Sequence, residues 1–121
     1  MGGQSSEEAE RHFKDVHGSA RDARAAIFAL DLRTDLAERA ALVVTELATN
    51  AILHAGSTPD VRIWYGSGAV RLEVSDESET MPRAASAAAM SGRGLQIVTA
   101  MATAWGCQSQ PGGKVVWAEL D

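Results

Sequence analysis

Cysteine is nearly absent from this chain. Cys107 stands alone, so no disulfide can form within it, and a reducing, cytoplasmic setting is the expectation. No apolar run approaches the length of a membrane span, and the first residues lack the charged and apolar regions of a signal peptide. Basic character is also missing: eleven Lys and Arg face sixteen Asp and Glu, for a net charge of −5. The arginines are scattered rather than clustered, so the electrostatic footprint of a nucleic-acid binder is lacking. Neither nucleic acid nor a membrane is expected as a partner. The chain has no internal repeat, and 121 residues suffice for one ordinary core but not two.

Two phosphate-binding fingerprints are incomplete as well. Gly92-Arg93-Gly94 lacks the third glycine of a dinucleotide loop and does not follow a strand. Gly112-Gly113-Lys114 is followed by Val115, where a Walker loop needs Ser or Thr for magnesium. The latter reads as a hairpin turn.

What is present is the composition of a globular protein, 45% apolar and 22% charged. Residues 1–10 carry mostly Gly, Ser, Gln and Glu and are expected to be disordered, leaving 11–121 as one domain. His12 to Val16 reads as a short strand. Ser19 is the expected N-cap of a helix over Ala20 to Leu30. Leu32 to Asp35 reads as a turn, with Thr34 or Asp35 capping the next helix and Glu38 in its first turn. Over Leu36 to about His54, the residues Leu36, Ala40, Val43, Leu47 and Ala51 form one apolar stripe at helical spacing. Glu46, Asn50 and His54 recur every fourth position and share a side of that helix, beside the stripe rather than opposite it. A carboxylate and a carboxamide one turn apart can offer hard oxygens to a cation or order a water.

Gly56 to Pro59 stops the helix. Strands over Val61 to Tyr65 and Ala69 to Val74 flank Gly66-Ser67-Gly68, a hairpin signal. Ile63 or Trp64, exposed on that hairpin, would offer a surface for a homodimer. Asp76 follows at a strand end, and residues 77–91 read as a loop or lid. Gly92-Arg93-Gly94 opens a helix with Leu95, Ile97, Val98 and Met101 as its apolar positions, ending near Trp105-Gly106. Strands over Cys107 to Gln110 and Val115 to Leu120 close the chain. Two antiparallel pairs and helices that must cover one face predict an α/β (α+β) two-layer sandwich with a mixed, largely antiparallel sheet.

Four words stand in order: Glu46-Leu47-Ala48-Thr49-Asn50-Ala51-Ile52-Leu53-His54-Ala55, Val74-Ser75-Asp76-Glu77-Ser78, Gly92-Arg93-Gly94-Leu95-Gln96-Ile97-Val98, and Trp105-Gly106 with Gly112-Gly113-Lys114-Val115-Val116-Trp117. Over residues 12–120 they resemble the GHKL (Bergerat) ATP-binding fold of gyrase, mismatch-repair MutL proteins and histidine-kinase catalytic domains. Within it the chain is most similar to the small anti-sigma-factor serine kinase-like proteins of actinobacteria. The resemblance implies ATP and Mg²⁺ as cofactors, with Asn50 on the metal and Glu46 orienting or deprotonating the attacking group. It implies Asp76 as reader of the adenine amino group, with Ser78 two residues on where the family at large has glycine. Gly92, Arg93, Gly94 and Leu95 would form the phosphate-binding helix start.

Val115 stands where the family often has a threonine whose hydroxyl helps hold the adenine aspartate. The implied activity is transfer of the ATP γ-phosphate to a serine of an antagonist (STAS-like) protein, controlling a sigma factor. The alternative is an ATP-binding module without turnover that sequesters a regulatory partner.

Overall fold

The computed structural model describes residues 11–56, 58–77 and 94–121. Strand β1 (His12–His17) leads into α1 (Ala20–Phe28) and the long helix α2 (Thr34–Ala55). The hairpin β2 (Asp60–Gly66) and β3 (Ala69–Asp76) follows, then α3 (Gly94–Met101) and the hairpin β4 (Ala104–Gln110) and β5 (Gly113–Leu120). The five strands form one sheet in the order β1-β2-β3-β5-β4. Every pairing is antiparallel, the limiting case of the largely antiparallel sheet expected.

Local chemistry explains most boundaries. Ser19 caps α1 in a reciprocal capping box with Asp22. Helix α2 starts one residue earlier than its polar residues predict: Arg33 is the N-cap and makes no side-chain capping bond. Asp35 occupies the first turn instead, held by Arg33 at 2.9 Å and Arg39 at 3.2 Å. Gly56 ends α2 at φ 67°, the left-handed conformation that glycine adopts without a Cβ penalty. In the first hairpin Gly66 pairs Ala69, leaving Ser67 and Gly68 with φ 53° and 76°. Two positive φ values in a two-residue loop match the strand twist.

Helix α3 stops at Met101, well before Trp105-Gly106, which lie inside β4. The reason is cross-strand: Gly106 pairs Trp117, and a Cβ there would sit 2.8 Å from the indole ring. The glycine is a packing requirement of the sheet and not a helix stop.

Among the described residues, the core lies between α1, α2 and α3 and one sheet face. Leu36, Ala40, Val43, Leu47 and Ala51 of α2 are buried together with Val61, Ile63, Val70, Leu72, Val74, Val116, Ala118 and Leu120 from the strands. The five α2 residues are the apolar stripe read from spacing. Ile63 is 0% exposed, so it belongs to this core and offers no outer surface; Trp64 on the other face packs against Phe13 at 5.1 Å. Arg39 fastens the layers by donating to the Met101 carbonyl at 3.2 Å and to the Asp121 carbonyl oxygen.

Candidate functional site

Helix α2 packs on β3, and the burial of its stripe turns Glu46 and Asn50 to the rim of the covered face. Both are half-buried, whereas Leu47 and Ala51 beside them are each 3% exposed. The Asn50 Oδ1 atom is shut off from solvent and has no hydrogen-bond partner among the described residues. Leaving a buried acceptor unpaired costs about 1–3 kcal/mol, a cost that a ligand bringing a cation or donor would remove. An amide oxygen is also a proper ligand for Mg²⁺. The donor present therefore fits the metal that the fold family implies.

Asp76 closes β3 on the helix-facing side, in alternation with Val70, Leu72 and Val74. Its partner comes from β5. The register pairs Asp76 with Lys114, and Lys114 Nζ lies 3.0 Å from Asp76 Oδ1 and 3.0 Å from Oδ2. Both side chains are buried, 2% exposed for Asp76 and 7% for Lys114. Gly113 makes this closeness possible: a Cβ there would lie 2.0 Å from the Asp76 carbonyl oxygen. A side chain at 113 would push the end of β3 away from β5.

Val115 pairs Ser75 and so lies on the other face of the sheet. The strand thus sets Lys114, not Val115, across from the aspartate. In the sequence Lys114 reads as part of the Gly112-Gly113-Lys114 turn, whereas it lies within β5. The available signal was its period of two with Val116, Ala118 and Leu120, which marks the core-facing side of β5.

Gly94 is the first residue of α3, and Leu95 in its first turn is buried in the core. Ser78, Gly92 and Arg93 lie outside the described residues, as does all but Glu77 of the lid expected over residues 77–91. Nearby, Cys107 on β4 pairs Val116 on β5. Burial pushes its thiol above the ordinary range, with Lys114 opposing and Asp76 adding to the shift. A thiol held protonated at neutral pH is a poor nucleophile, so Cys107 reads as a packing residue.

An antiparallel sheet covered on one face by helices defines a two-layer α+β domain. The chain belongs to the histidine kinase-like ATPase domain family, whose model matches residues 12–120. Domains of this family bind ATP, usually with Mg²⁺. A search of curated proteins finds no match.

Proposed function

We propose that the protein is an Mg·ATP-binding regulator of the anti-sigma-factor type, a kinase for a serine of an antagonist protein that controls a sigma factor. The observation that carries the reading is the Asn50 Oδ1 atom, a buried acceptor without a partner among the described residues, one helical turn from Glu46. In this reading Asn50 holds Mg²⁺ and Gly92 to Leu95 hold the phosphates. Bound Mg·ATP supplies the transferable phosphoryl group. Glu46 would orient the serine hydroxyl and take its proton as the new oxygen–phosphorus bond forms and the bond from the γ-phosphorus to ADP breaks, with ADP as the leaving group and positioning and electrostatics carrying most of the rate. A cytoplasmic setting follows from a sigma-factor pathway. Among the described residues no helix is long and apolar enough to cross a membrane.

The second reading, a nucleotide-binding module without turnover that sequesters its partner, is favoured by one observation: the Asp76 carboxylate is already engaged by Lys114. Incubation with labelled Mg·ATP and a candidate antagonist separates the two. Phosphoserine on the antagonist is the expected result; ATP binding without phosphoserine removes the kinase reading. A thermal-shift titration tests what both share. Stabilisation should grow with Mg·ATP by mass action, and a flat response up to millimolar concentrations rejects a nucleotide role.

A further inference from the structure

Among the described residues, the charged side chains that are buried are Asp76 and Lys114, and they face one another. A carboxylate taken out of water needs compensation, and one removed from its partner is destabilised far more than a surface charge. Lys114 supplies that compensation at both oxygens, each 3.0 Å from Nζ. The exocyclic amino group of a purine would seek the same oxygens, but as a neutral donor. A charge-assisted hydrogen bond is roughly twice as strong as a neutral one, and an ammonium cancels charge that an amino group cannot. The contact is also not a loose rotamer at a strand tip. It is set by the β3–β5 register and by Gly113, whose missing Cβ lets the Asp76 carbonyl close in.

We propose that Lys114 is a built-in occupant of the base-reading carboxylate, so that the protein takes nucleoside triphosphates by their Mg²⁺ and phosphate end and discriminates little between adenine and guanine. This rests on the nucleotide-binding reading above. It assigns Lys114 a specificity role that goes beyond that reading: the lysine lowers base selectivity by holding Asp76.

Calorimetric titration of the full chain with Mg·ATP and with Mg·GTP tests it, alongside Lys114→Thr, which puts a short hydroxyl in place of the ammonium and so takes the ammonium off the carboxylate. The expected wild-type preference for ATP is less than about tenfold, the worth of roughly one hydrogen bond. In Lys114→Thr the preference should rise by about tenfold or more. ATP binding seen only in Lys114→Thr would overturn the inference, because the wild-type protein would then take no nucleotide by its phosphate end. A wild-type preference of about tenfold or more, or an unchanged preference in Lys114→Thr, overturns the inference and leaves the nucleotide site standing. No binding of either nucleotide by either folded protein overturns both. Far-UV circular dichroism checks the fold of the variant. If it unfolds, Lys114→Met, which keeps an aliphatic stem and cannot donate to Asp76, takes its place under the same criteria, and the wild-type titration stands independently of any variant.

Discussion

The two ends of the proposed site differ in how their polar atoms are satisfied. At the end of β3, Asp76 is buried and matched by the ammonium of Lys114. On α2, Asn50 Oδ1 is buried and matched by no described residue. One end is complete by itself, and the other is complete only with something added. In the proposed site, the metal end thus keeps an unpaired amide oxygen among the described residues, while the carboxylate at the base end is held by a lysine of the neighbouring strand. Solvation physics makes that difference consequential: a paired buried charge resists new partners, and an orphaned acceptor invites one.

The largest effect should come from breaking the completed end. Asp76→Ala leaves the Lys114 ammonium buried without its carboxylate, and a loss of about 3–5 kcal/mol is expected in urea unfolding. Replacing both, as Asp76→Leu with Lys114→Met, should recover most of that loss, because a well-packed apolar pair avoids the desolvation of two charges. A double variant no more stable than Asp76→Ala would show that the pair does more than neutralise itself.

Next in size is the catalytic expectation at the open end. Glu46→Gln should leave nucleotide affinity within about threefold and stability within about 0.5 kcal/mol, yet lower phosphoryl transfer by about 10²–10⁴. Normal transfer by this variant, read from single-turnover phosphoserine formation, would remove the role given to Glu46.

Asn50→Ala is expected to move stability and binding in opposite directions. Removing an unpaired buried acceptor, and placing alanine within α2, should stabilise the free protein by about 1 kcal/mol while Mg²⁺-dependent nucleotide binding is lost. A destabilised variant would mean that Asn50 already has a structural partner.

The smallest effect concerns Asp60, whose Oδ1 is likewise buried without a hydrogen-bond partner among the described residues. Desolvation, and then the neighbouring Asp15 carboxylate, hold its carboxyl above the ordinary value, against His17 and Arg62. The folded state therefore binds this proton more tightly than the unfolded state. The associated stability is full below the unfolded value and disappears as pH rises through the folded one. Asp60→Asn should accordingly gain a few tenths of a kcal/mol at neutral pH, with the gain shrinking in acid. Melting of both proteins at about pH 4 and about pH 7 checks the sign. A gain larger in acid would reverse this assignment.

Much of this frame was legible along the chain. The spacing of Leu36, Ala40, Val43, Leu47 and Ala51 marks the buried side of α2, because helical periodicity is local and repeats over several turns. The Gly66-Ser67-Gly68 turn and the position of Asp76 at a strand end are equally local. Less was legible where a residue's meaning depends on a strand far away in sequence. Trp105-Gly106 reads as a helix end until β5 places Trp117 over the glycine. Ile63 reads as a surface residue until the helices cover its face.

The sequence by itself determined an acidic, aliphatic α+β fold with Glu46 and Asn50 one turn apart on its long helix. Tertiary structure alone decided what Asp76 would meet. β3 and β5 lie some forty residues apart in sequence, and a register one residue different would have turned Val115 inward and Lys114 out. That choice is made by which strand face the helices bury and by the room Gly113 leaves beside the Asp76 carbonyl. It is a property of two strands together, and neither strand contains it alone.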